Sequence, residues 1–121
     1  MEEKKYNHLE LFILGKTHSI SVGKDIIRLL GVPNYICIRV NKEYNSILVR
    51  PCEKDDPLSF RVPSKLFDRS NNVFRINSKS FVLDLFFMNG LELGKSYSFK
   101  GEYDKQRNVV IVPIIIDEKA G

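Results

Sequence analysis

Apolar residues in this chain come in short runs separated by polar turns, and the period inside the runs changes from strand-like to helix-like and back. LELFILG (9–15) is apolar enough for a strand, and a turn follows at Gly15-Lys16. THSISV (17–22) alternates, with His18, Ile20 and Val22 on one face, which predicts a half-buried strand. KDIIRLLG (24–31) sets Ile26, Ile27, Leu29 and Leu30 beside Lys24, Asp25 and Arg28, as a two-turn helix would. Gly31 suits the left-handed residue that ends a helix, and Pro33 forbids continuation. YICIRV (35–40), the turn NKEYN and SILVRP (46–51) then read as a β-hairpin.

The same order follows again after the acidic link CEKDDP (52–57). LSFRVP (58–63) and VFRI (73–76) are two short strands, and a longer helix runs through FVLDLFFM (81–88) to Asn89-Gly90. Asn77 or Ser78 can cap that helix. KSYSFKGEY (95–103), the turn DKQRN and VVIVPIII (109–116) form the last hairpin. The expectation is one domain over residues 1–121, mainly β with two helices. It has two strand–strand–helix–strand–strand repeats (9–51 and 58–116), with 52–57 as the link. Neither unit can bury its apolar faces alone, so the two are expected to close a small β-barrel without free edges.

Composition sharpens this picture modestly. With 121 residues, 43% hydrophobic and 28% charged, the chain has the balance of an ordinary globular domain. No apolar run reaches the ~18 residues of a membrane helix, and the first residues lack an apolar signal core, so a cytoplasmic protein is expected. The net charge of +4 is unevenly distributed. Residues 57–83 hold Arg61, Lys65, Arg69, Arg75 and Lys79 against Asp68 alone, whereas the flanking segments nearly balance. Such a stretch suits nucleic acid, although solvated loops produce similar clusters.

VGKDIIRLLGV (22–32) resembles the AbrB/SpoVT family pattern, in which a strand ending in Ile-Pro enters a short helix of the form xELRxxLGI. Val22 stands for the Ile, Asp25 for the Glu, Ile26 for the Leu, Arg28 for an Arg, and Leu30-Gly31-Val32 for LGI. Gly15-Lys16 resembles the Gly-Arg turn before the family's second strand. The resemblance covers 9–51, and more faintly 58–113. It implies a swapped-hairpin or double-psi-type barrel, with two units in one chain as in the MraZ-like branch. It also implies a DNA-binding transcriptional regulator or antitoxin. The chain departs from the pattern where Gly23 replaces the Pro and Phe12 takes the place of an acidic residue.

On that pseudo-symmetric frame Lys16, Lys24, Arg28, Lys65, Arg69, Arg75 and Lys79 would form one cationic face toward the phosphates of double-stranded DNA. Arg69 with Asn71 or Asn72 would read base edges. The nearly uniformly apolar second helix reads either as a central core helix or as a surface where Val82, Phe86 or Phe87 meets a protein partner or a second copy. A protein-binding inhibitor, phage- or plasmid-encoded and anti-CRISPR-like in blocking a host nuclease, is therefore the rival to the regulator.

Nothing suggests an enzyme, a cofactor or a metal. The nucleophile-elbow, phosphate-loop, zinc-protease and dinucleotide motifs do not occur, and His8 and His18 stand alone. His18 is expected to pack on the inner side of its strand. If the 35–51 hairpin turns near Glu43, Cys37 faces about position 49 and Cys52 about position 34, so free thiols rather than a disulfide are expected.

Overall fold

The computed structural model describes residues 9–68 and 73–115. Its elements are β1 (Glu10–Leu14), β2 (Ser19–Val22), α1 (Lys24–Leu29), β3 (Tyr35–Asn41), β4 (Ser46–Pro51), β5 (Ser59–Arg61), β6 (Phe74–Asn77), α2 (Lys79–Asn89), β7 (Ser96–Lys100), β8 (Glu102–Asp104) and β9 (Val109–Pro113). Both helices stop where glycine permits the left-handed turn: Gly31 has φ 89° and Gly90 φ 64°.

The strands form two antiparallel sheets, ordered β6-β2-β1-β7 and β5-β3-β4-β9-β8. Alternation decides their inner faces. Leu11 and Ile13 on β1 pair across to Val22 and Ile20 on β2, which in turn face Phe74 and Ile76 on β6. In the other sheet Ile47 and Val49 on β4 stand opposite Val112 and Val110 on β9. These side chains join Ile26 and Ile27 of α1 and Val82, Leu85 and Phe86 of α2 in one buried apolar cluster. Each fully buried aliphatic side chain there contributes about 1.5–3 kcal/mol.

The chain is thus mainly β with two helices, but the expected closed barrel is not formed, and the swapped-hairpin or double-psi arrangement falls with it. Closure needs an unbroken ring of paired strands, and β5 and β6 do not pair with each other. β5 has only three residues and lies between Pro57 and Pro63. Beyond it the Val62 amide still donates to the Asn34 carbonyl (2.8 Å), and Leu66 then turns into the core. The chain therefore follows β3 instead of laying a hairpin beside β6.

On the other side, the strand expected over 95–103 bends at Gly101. Its first half, β7, belongs to one sheet and its second half, β8, to the other. The Gly101 amide donates to the Leu9 carbonyl at 2.6 Å, and a Cβ there would lie 2.9 Å from a Val110 methyl. β9 is an interior strand whose Pro113 lies past the reach of β8, which ends opposite Ile111. Its missing amide therefore interrupts no ladder on that side.

One further expectation fails, and one of the two alternatives for the second helix is removed. His18 is not on the inner face of a strand; it sits half-buried in the β1–β2 turn with φ 52°. α2 is not a central core helix, because it buries Val82, Leu85 and Phe86 and leaves Phe87 70% exposed.

Candidate nucleic-acid interface and thiol cluster

The cations expected to bind phosphate fall into two groups with one arginine between them. The first group forms where the turn after β5 meets α1. Leu66 anchors that turn in the core, so the residues on either side, Lys65 and Phe67, lie further out. Lys24 and Arg28, one turn apart on α1, both lie over the Phe67 ring, with Lys24 Nζ 5.9 Å and the Arg28 guanidinium 4.7 Å from its centre. Each such contact is worth about 0.5–1 kcal/mol at an exposed site. Arg28 Nη1 also donates to Asp25 Oδ1 at 2.6 Å, which partly neutralises the group.

The second group lies at the opposite end of β2. Lys79 opens α2, and the amide of its neighbour Ser78 donates to the His18 carbonyl (3.1 Å), in the turn that also carries Lys16. β2 and β6 pair from Val22–Phe74 to Ser19–Asn77, so the two groups stand at the ends of that pair, about 10 Å apart along the strand. Arg75 lies between them, opposite Ser21 and exposed. Lys16, Arg75 and Lys79 make no ion pair with a described residue. Arg69, Asn71 and Asn72 lie outside the described residues.

The three side chains expected at a partner surface separate. Val82 and Phe86 are buried in the chain's own core, because they share the helix face that meets the sheets. Phe87 alone is at the surface, with Met88 beside it, 41% exposed.

The sequence reading missed a cluster on the outer face of the five-stranded sheet. Cys37 stands opposite Arg50, one position from where the hairpin was expected to register. Cys52 lies two residues beyond Arg50, on the same face and diagonal to Cys37. The segment 52–58 folds back over β3. Cys52 donates its amide to the Tyr35 carbonyl (3.1 Å), Asp56 donates to Glu53 (3.1 Å), and Leu58 donates to Asp56 Oδ1 (2.9 Å). The thiols of Cys37 and Cys52 and the Asp56 carboxylate come within 4.8 Å of one another.

Burial, then hydrogen bonds to Cys52 and Asp56, push the Cys37 thiol from 9.0 to about 12. The Leu58 amide, then the Cys37 thiol, hold the Asp56 carboxyl below its usual range, and Arg39 and Arg50 act in the same direction. A hairpin register one residue longer would have revealed this cluster. Beside it a groove of about 560 Å³ is lined by Tyr44, Leu48, Arg50, Arg107 and Ile111. Among the described residues no helix is long and apolar enough to cross a membrane. No known protein family, curated protein or solved structure matches this chain.

Proposed function

We propose that this protein binds double-stranded DNA along the β2–β6 pair and acts as a regulator or antitoxin-like protein. The observation that carries the reading is the row of cations along that pair: Lys24, Arg28 and Lys65 at one end, Arg75 in the middle, and Lys16 and Lys79 at the other end. A row of this length spans neighbouring phosphates of a duplex strand and would act by charge and counterion release. The likeness of residues 22–32 to the AbrB/SpoVT pattern supports the same reading. A salt titration of binding to random duplex DNA tests it. With about four phosphates contacted, the slope of log K against log salt is expected near −3.6, and Arg75→Glu with Lys79→Glu should weaken binding at least ~10-fold. A lack of binding at low salt would refute it.

A second reading, a protein-binding inhibitor, is favoured by Phe87, which is 70% exposed on α2 beside Met88. Adjacent exposed apolar side chains of this kind are a feature of partner surfaces. On this reading a folded Phe87→Asp variant loses a protein partner or an oligomer; a variant that behaves like the parent would refute it.

A further inference from the structure

We infer that Cys37, Cys52 and Asp56 form a binding site for a thiophilic divalent cation of the zinc type, held by two thiolates and one carboxylate. The inference does not depend on DNA binding. The three donor atoms already lie within 4.8 Å of one another. In a tetrahedral site with metal–sulfur bonds of ~2.3 Å, two ligand sulfurs are about 3.8 Å apart, so only small side-chain rotations are needed.

The surroundings are those of a built site. Cys37 is fully buried, yet it is not part of the main apolar cluster to which its neighbours Ile36 and Ile38 belong. It points to the other face of the sheet, where residues 52–58 cover it and supply the other two donors. Asp56 is oriented by the Leu58 amide, as carboxylate ligands commonly are by outer partners. Two thiolates and a carboxylate carry three negative charges, so a divalent cation leaves one, and the Arg39 and Arg50 charges that act on Asp56 offset it.

On binding, each thiol gives up its proton to solvent and the cation takes the position of both protons. The fourth coordination position is left to water or to an exogenous ligand. A Cys37–Cys52 disulfide fits less well, since the two residues are diagonal and not directly opposite, a relation that places Cα atoms about 7–8 Å apart, beyond the usual disulfide range.

The test is titration of the reduced full-length protein with Co²⁺ under anaerobic conditions. One equivalent should produce a thiolate-to-cobalt charge-transfer band, which Zn²⁺ then abolishes, with about two protons released per metal. Cys52→Ser should eliminate the band, and Asp56→Asn should weaken Co²⁺ binding about 10-fold or more. Both residues are only half-buried, so circular dichroism can confirm that these variants stay folded. Absence of the band, its persistence in Cys52→Ser, or formation of a Cys37–Cys52 disulfide in the presence of Zn²⁺ would each overturn the inference.

Discussion

The amide of Gly15 donates to the carbonyl of Lys95 at 3.1 Å, and a Cβ on Gly15 would lie only 2.3 Å from that same oxygen. The contact fixes the end of β1 against the start of β7, where Leu14 pairs with Ser96. The obstacle is backbone and cannot swing aside. Gly15→Ala should therefore destabilise the protein by about 1–3 kcal/mol, read as a lower denaturation midpoint at unchanged slope.

Phe86 and Phe87 are adjacent on α2 and have opposite environments. Phe86 is 1% exposed and meets Tyr97 edge-on, with ring centres 5.8 Å apart, whereas Phe87 is largely in solvent. Phe86→Ala should cost about 3–5 kcal/mol, while Phe87→Ala should stay within about 0.5 kcal/mol of the parent. Thermal unfolding of the two variants side by side checks this, and equal losses would contradict the placement of the helix.

Asn45 ends the β3–β4 turn with φ 48°, and its Nδ2 donates to Asn89 Oδ1 at 2.7 Å. Asn89 Nδ2 in turn donates to the Leu85 carbonyl (3.0 Å), which ties the turn to the end of α2. Removing the acceptor in Asn89→Ala leaves a part-buried donor unpaired and should cost about 1–3 kcal/mol. Asn45→Ala should be less stable than Asn45→Gly by about 1 kcal/mol, because alanine, unlike glycine, is strained in that left-handed conformation. Chemical denaturation of the three variants resolves both effects.

In the reduced, metal-free protein, folded Cys37 keeps its proton up to about pH 12, whereas an unfolded thiol with the ordinary value of 9.0 has already lost it. The folded state binds more protons across that window, so the contribution of Cys37 to the unfolding free energy is fully present below pH 9 and is lost as pH rises toward 12. Lys95, whose ammonium is held by Glu92, adds a slope of the same sign at the alkaline end. Denaturation curves between pH 8 and 11 should show the decline in the parent. Cys37→Ala should flatten it, leaving the smaller lysine contribution.

Local punctuation made most elements legible in the sequence. Gly31 with Pro33, and Asn89 with Gly90, mark helix ends that the backbone confirms, and alternation identified Ile20 and Val22 as inward, though it wrongly added His18. What was not legible depends on register and on long-range pairing. The β3–β4 loop holds four residues between the Asn41–Ser46 pair, so the hairpin is displaced by one position from a turn centred at Glu43. A shift of one residue exchanges faces, and it brings Cys52 to the side of Cys37.

The open side of the fold was hidden for a similar reason. Nothing local to LSFRVP says whether it will lie beside β6 or continue along β3. Of the expected cationic face, Lys24, Arg28 and Lys65 gather near Phe67, while the turn carrying Lys16 reaches the start of α2, where Lys79 sits, through the Ser78 amide and the His18 carbonyl. The apolar stretch of α2 concealed which of its phenylalanines faces inward, since nearly every position there is apolar.

The bent ribbon through Gly101 has a consequence for synthesis of the chain. β1 waits for β7 and β4 waits for β9, so each sheet lacks a neighbour until residues 96–113 have been made. Until then the nascent chain presents the unpaired edges of ELFIL and SILVRP, two apolar strands open to pairing with other chains. Truncation anywhere before Gly101 should therefore yield aggregates rather than a smaller folded unit.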